Sequence, residues 1–146
     1  MPEASERLSA KPAADLDPAH AGEFLRAVGL HIDTVSTREV RAHLEVSERH
    51  HTPWGITHGG LYATVIESVA SVGASHAVES EGGFAVGVSN QTDFLRPHAA
   101  GRLDVVATAV QQGKSLQLWV AEISDGNGRL IARGQVRLFN QVLPAR

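Results

Sequence analysis

The sequence predicts an α+β domain in which an antiparallel sheet curls round one long helix. Three observations carry that prediction. The run from His58 to Ala77 is made mostly of Ala, Val, Ser, Leu, Ile and Gly with no period-two pattern. It reads as a helix that is apolar on nearly every side, which calls for protein all round it. The segments flanking it alternate apolar and polar residues, the period of half-buried strands. The links between the last strands are short, as antiparallel neighbours allow and parallel ones do not.

Taken in order, residues 1–17 read as a tail rich in Ala, Ser, Pro and charge, with the folded domain spanning 18–146. Asp17-Pro18 is a helix start, an N-cap residue followed by proline at the first helical position. Phe24, Leu25 and Val28 give that helix an apolar stripe, and Gly29 ends it. Leu30 to Val46 reads as two strands joined near Ser36-Thr37-Arg38. In the second, Val40, Ala42, Leu44 and Val46 alternate with Arg41, His43 and Glu45. A loop from about Glu48 to Thr57 carries His50, His51, Pro53, Trp54 and Gly55, and leads into the long helix. Strands follow at Phe84 to Asn90, approaching Arg96-Pro97, then at Leu103 to Gly113 and at Leu116 to Ile123. Asp125-Gly126-Asn127-Gly128 is a hairpin turn, and Leu130 to Leu138 alternates as the last strand. Four consecutive strands with short links predict a meander. The chain has no internal repeats.

Composition narrows the function classes. With 146 residues and 42% hydrophobic content the chain suits one domain with a real core. A net charge of -3 makes the chain as a whole no binder of nucleic acid or other polyanions. The absence of cysteine rules out disulfides, thiolate metal sites and a cysteine nucleophile. The N-terminus, Met-Pro-Glu-Ala-Ser-Glu, is acidic and has no apolar core, unlike a secretory signal. Gly59 to Val78, the best candidate for a membrane span, contains a glutamate, a histidine, serines and glycines. The expectation is a soluble cytoplasmic protein.

The chemistry centres on His58-Gly59-Gly60 at the opening of the long helix and on Glu67 inside it. A helix start exposes unpaired N–H groups and a partial positive charge, and glycines there let another group approach the backbone. Such a place holds an oxyanion, as acyl transfer requires; it is also where a chain simply turns tightly. Glu67 is the one formally charged residue between Gly59 and Val78. Burying it unpaired is costly and raises a carboxyl pKa, which suits a general base or nucleophile. The alternative is a carboxylate on the helix's one exposed stripe, or one paired with an arginine from a strand. Ser71, four residues on, shares its face. Gly59 and Glu67 lie eight residues apart, ~12 Å along a helix. A carbonyl held at Gly59 would therefore be attacked by Glu67 of a second chain, in a site built across a two-fold dimer interface.

Other chemistries lack their motifs. His50 and His51 are adjacent, His58 and His76 are five turns apart, and His20, His31, His43 and His98 are scattered. No pair has the two-histidine helical spacing of a zinc site. There is no G-x-S-x-G elbow, dinucleotide fingerprint or P-loop.

Two segments resemble a known family. They are Trp54-Gly55-Ile56-Thr57-His58-Gly59-Gly60-Leu61-Tyr62-Ala63 with Glu67 downstream, and Val86-Gly87-Val88-Ser89-Asn90-Gln91-Thr92-Asp93-Phe94-Leu95-Arg96-Pro97. Together they resemble the hotdog-fold thioesterases. The nearest branch is that of the 4-hydroxybenzoyl-CoA thioesterases with a glutamate on the central helix, near the phenylacetate-pathway thioesterases. The similarity runs from about Leu30 to Asn140. It implies a six-stranded sheet wrapped round the helix, dimers pairing into tetramers, sites at the dimer interface, and neither metal nor cofactor. By position, Glu67 would be nucleophile or general base and the Gly59 amide would polarise the thioester carbonyl. His58 would stand beside it and Ser71 would help to place water. Thr52, Gly60 and Asn90 fall at substrate-binding positions, and Arg96, Lys114 and Ser115 at positions that contact the CoA nucleotide. Thr52 stands where the aryl-CoA enzyme has glutamine. The implied activity is hydrolysis of an aryl, short or medium acyl-CoA. A non-catalytic acyl-CoA binding module is the alternative, and it would have no use for a costly carboxylate facing an anionic ligand. An enoyl-CoA hydratase would need an Asp and a His about five residues apart at the site, and His58, Gly59, Gly60 and Glu67 include no such pair.

Overall fold

The computed structural model describes residues 22–142. The tail assigned to 1–17 and the helix start at Asp17-Pro18 lie outside the described residues. The first helix, α1, runs Glu23–Val28 and ends at Gly29, whose φ of 76° is the left-handed conformation that glycine adopts freely. Of its expected stripe, Val28 is buried, whereas Phe24 is 69% exposed.

Six strands follow: β1 (His31–Val35), β2 (Glu39–Val46), β3 (Gly83–Phe94), β4 (Gly101–Gln112), β5 (Leu116–Asp125) and β6 (Leu130–Val142). The long helix α2 (Gly59–Val78) lies between β2 and β3 in sequence. All neighbouring strands are antiparallel, in the order β1-β2-β4-β5-β6-β3. This is the hotdog architecture, a single curled sheet holding one helix.

The expected four-strand meander is not formed. Only β4, β5 and β6 follow one another in space; β3 pairs with β6, from Gly83↔Val142 to Phe94↔Ala132, and forms an edge. The link from β3 to β4 is fastened across the sheet's end, where the Leu95 and Arg96 N–H groups both donate to the Ile131 carbonyl. Alternation shows that a strand has a buried face without naming its neighbour, so a local pattern could not separate the two pairings. β3 runs to Phe94, close to Arg96-Pro97 as expected.

The Asp125-Gly126-Asn127-Gly128 turn forms as expected. Asp125 Oδ1 accepts from the Asn127 and Arg129 N–H groups at 2.9 Å each. The Arg129 N–H bond holds the Asp125 carboxyl below the usual carboxylate range, against the opposing effect of burial.

The core lies between α2 and the concave face of the sheet. Val65, Ile66, Val69 and Ala70 of α2 are fully buried with Val40, Leu44, Leu103, Val105, Ile123, Val136 and Leu138. Trp119 is the largest fully buried side chain; a Cβ at Gly73 would overlap its ring, so glycine is what lets helix and indole meet. The Trp119 N–H donates to Gln117 Oε1 at 2.9 Å. Trp119→Ala is expected to cost about 3–5 kcal/mol of unfolding free energy, the cost typical of deleting a buried aromatic. A chemical denaturation curve measures it.

Candidate active site

The start of α2 is organised by its own cap. His58 is the N-cap with φ -65° and ψ 131°, and its Nδ1 accepts the Gly60 N–H at 2.8 Å. The Leu61 N–H donates to the His58 carbonyl at 2.9 Å, and the His58 N–H donates to the His50 carbonyl at 2.8 Å. Among the described residues the Gly59 N–H meets no acceptor. It is the free donor at the positive end of a 20-residue helix. Each glycine has a packing reason. A Cβ at Gly59 would overlap the Phe94 ring, and one at Gly60 would lie 2.9 Å from the His58 Nδ1 that caps the helix.

Gly59 lines a cleft of about 340 Å³ together with Thr52, Tyr62, Phe94 and Arg96. The 52–56 turn forms one wall. It is closed by the Thr52 N–H donating to the Ile56 carbonyl at 2.7 Å, and Gly55 takes φ 77°, which favours glycine. Trp54, at its tip, is 84% exposed. The cleft thus brings together three of the residues named from sequence: Thr52, Gly59 and Arg96.

Sequence reasoning gave no role to two neighbours of Gly59. Phe94, within the second motif, lies against Tyr62 with ring centroids 5.8 Å apart. Burial raises the Tyr62 phenol pKa, with nearby Thr57 opposing. Among the described residues the Tyr62 hydroxyl has no partner in hydrogen-bond geometry, and the nearby Thr57 hydroxyl donates to the His98 carbonyl at 2.7 Å. Burial also lowers the His98 pKa, with the Asp125 charge acting the other way.

Glu67 departs from expectation. Protein does not enclose α2 on every side: Gly60 and Glu67 are exposed, with Thr64, Ser68 and Ser71 half-buried along the same stripe. Glu67 stands on this open stripe, which was the alternative reading of its place in the sequence. The stripe hid within the sequence because its other members are small or weakly polar, so the helix looked apolar all round. The Glu67 carboxylate lies against β3, where a Cβ at Gly87 would overlap Oε1. Among the described residues no Lys, Arg or His pairs with it. β3 bulges here, its register slipping between Gly87 and Ser89. Ser71 lies one turn further along the stripe.

The remaining named residues lie elsewhere. The Asn90 amide donates to the Ala63 carbonyl at 2.9 Å and its Oδ1 accepts from Thr92 at 2.6 Å, so the side chain straps β3 to the helix. Lys114 and Ser115 sit in the β4–β5 turn. Asn140 braces that turn by donating to the Gly113 and Lys114 carbonyls at 3.0 and 3.1 Å. The Gln117 amide joins this region to the Ala74 carbonyl near the end of α2. Lys114 and Ser115 therefore stand at the C-terminal end of the helix and Arg96 at its start. A 20-residue helix separates them by a span of ~30 Å, and one chain does not bring them together.

A second hollow, about 420 Å³, lies on the other flank of the helix start. Its lining includes Phe24, Ala27, Arg49, His51, His58 and Gly60. Among the described residues no group of three or more His, Asp or Glu side chains is placed to hold a metal ion. No helix among them is long and apolar enough to cross a membrane.

Comparison with known proteins adds three findings. The model of the thioesterase superfamily matches residues 55–132. A Mycobacterium tuberculosis protein named as an esterase is 40% identical over 119 residues, covering 80% of this chain and 85% of its own. Its solved structure aligns with a TM-score of 0.82 at 38% identity, covering 85% of this chain and all of that one. A 1,4-dihydroxy-2-naphthoyl-CoA hydrolase of Listeria monocytogenes is 32% identical, covering 71% of this chain and 84% of its own.

Proposed function

Because the chain belongs to the thioesterase superfamily, we propose that it hydrolyses an acyl-CoA thioester to the free acid and CoA. The observation that carries this reading is the pairing of a free Gly59 N–H at a helix start with an unpaired Glu67 on the open stripe of the same helix. The first answers the need for an oxyanion donor and the second the need for a base or nucleophile.

The two stand ~12 Å apart along α2, too far for one carbonyl to meet both in a single chain. β3 supports the two-chain reading. It is an edge strand, it lies against Glu67, and it exposes Val86, Val88 and Phe94. Such an edge favours pairing with a second copy, and a two-fold dimer, or a tetramer of two dimers, supplies Glu67 from one protomer to Gly59 of the other.

The thioester carbonyl oxygen accepts the Gly59 N–H, and the helix start stabilises the negative charge that grows there. Two routes share that geometry. In one, a Glu67 oxygen attacks the carbonyl carbon, CoA leaves as thiolate, and water opens the resulting anhydride. In the other, Glu67 takes a proton from water as its oxygen attacks, and that proton passes to the departing sulfur. Ser71, one turn from Glu67 on the same stripe, is the candidate to hold the water. Arg96 at the Gly59 cleft, and Lys114 and Ser115 from the far end of a neighbouring protomer, are the groups for the CoA nucleotide. The acyl group is aryl or of short to medium length; relatives named for 1,4-dihydroxy-2-naphthoyl-CoA favour the aryl end. CoA esters are intracellular metabolites, so the reading implies a cytoplasmic site of action.

A panel of acyl-CoAs with a thiol-trapping reagent tests the proposal. At least one ester is expected to turn over with kcat/KM above about 10⁴ M⁻¹s⁻¹. Binding without release of thiol would make the chain a non-catalytic acyl-CoA module. Arg96→Gln is expected to raise KM more than it lowers kcat, because a nucleotide contact is shared by ground and transition states. An equal loss in kcat would move Arg96 into the chemical step.

A further inference from the structure

Two hollows flank the start of α2. Gly59 lines the one that contains Arg96, whereas His58 and Gly60 line the one closed by α1. A thioester whose carbonyl rests at the helix start sends its acyl arm and its CoA arm in different directions. With Arg96 serving the nucleotide, the second hollow is left for the acyl group.

We propose that the hollow between α1 and the first turns of α2 is the acyl pocket, and that it selects an apolar acyl body ending in an oxygen acceptor, most strongly a carboxylate. The inference rests on the thioesterase reading of the same site.

Its size, about 420 Å³, falls within the range of small-molecule pockets and admits an acyl group of one or two rings. Its position fits the chemistry, because His58 and Gly60, which flank the free Gly59 N–H at the helix start, belong to its lining. Phe24, Ala27 and Val28 of α1 with Leu61 of α2 make the body of the pocket apolar. Phe24 is a large apolar side chain 69% exposed on a short helix, and an entering acyl group would cover it.

The polar groups around the pocket are mostly donors. His58 accepts the Gly60 N–H through Nδ1, so the proton of a neutral ring sits on Nε2. The Arg49 guanidinium lies beside Gly29 at the end of α1, and among the described residues no carboxylate pairs with it. His51 Nε2 is engaged with the Ala99 carbonyl at 2.5 Å, which leaves Nδ1 as an acceptor, and the Thr64 hydroxyl can donate or accept. A cation, an imidazole N–H and a helix start together favour an anionic or acceptor-bearing acyl group and disfavour a cationic one.

The test compares kcat/KM for acetyl-CoA, benzoyl-CoA, 4-carboxybenzoyl-CoA and naphthoyl-CoA. Ala27→Trp fills the pocket, and the benzoyl-to-acetyl ratio is expected to fall at least ~10-fold. Phe24→Ala opens the wall, and the naphthoyl-to-benzoyl ratio is expected to rise; this variant decides the matter if the tryptophan variant does not fold. Arg49→Met is expected to reduce the carboxybenzoyl-to-benzoyl preference at least ~10-fold. If the parent hydrolyses these esters but filling and opening leave the ratios unchanged, the acyl pocket lies elsewhere and the inference falls alone. If the parent hydrolyses none of them or of the wider panel, the thioesterase reading falls and takes the inference with it.

Discussion

Glu67→Gln is expected to leave the fold intact and to lower kcat at least ~100-fold, within the range that positioned acid–base groups supply. The exchange is nearly isosteric, so the contact with Gly87 keeps its shape. Glu67 is exposed and has no cationic partner among the described residues, so the swap breaks no ion pair. What it removes is chemical: an amide neither takes a proton from water at neutral pH nor forms an anhydride with the acyl group. Circular dichroism and a thermal melt should match the parent, while thiol release from the preferred acyl-CoA collapses. Turnover within a few-fold of the parent, in a correctly folded variant, would place the chemistry on another residue.

The second large effect is a gain. Two variants, each inactive alone, are expected to recover about a quarter of parental activity when co-refolded in equal amounts. One is Glu67→Gln. The other carries Gly59→Pro, which deletes the free N–H. The backbone accepts this change: Gly59 is the first residue of α2 and has no positive φ, and His58 already holds the extended ψ of 131° that suits a residue before proline. Packing does not accept it, because any Cβ at Gly59 meets Phe94. Phe94→Ala is therefore included to make room, and is also assayed alone as the reference. Random pairing makes half the dimers mixed, and in each mixed dimer one of the two sites draws an intact Gly59 and an intact Glu67 from different chains. A site confined to one chain recovers nothing, because every chain carries a lesion. No recovery, with mixed dimers verified by mass, would refute the shared site and the ~12 Å helix-rise argument behind it.

Which features were legible in the sequence follows from how far apart the deciding residues lie. The end of α1 at Gly29, the Asp125–Gly128 turn and the alternation in β2 and β4 are settled by neighbours a few residues apart, and they formed as read. The same holds for the helix start at His58-Gly59-Gly60. There the cap is made by a histidine two residues from the amide it accepts, and the donor left over is Gly59.

By itself, then, the sequence determined the element types, the α+β class and the two residues on which the proposed chemistry turns, because turn chemistry, alternation and helix-start rules act over short separations; the hotdog fold came from the family resemblance of two segments. The tertiary structure alone decided who neighbours whom. It set β3 against β6 and not β4, since an alternating strand carries no label for its partner. It opened a stripe along a helix whose small residues had concealed it, and so put Glu67 against Gly87 instead of in the core. It engaged Asn90 in strapping β3 to α2, and it separated Arg96 from Lys114 by the length of that helix. It also set α1 beside the helix start to make a hollow from Phe24, Arg49 and His58. Those residues are 34 positions apart from first to last, and only packing, which acts through space without regard to chain separation, could bring them to one place.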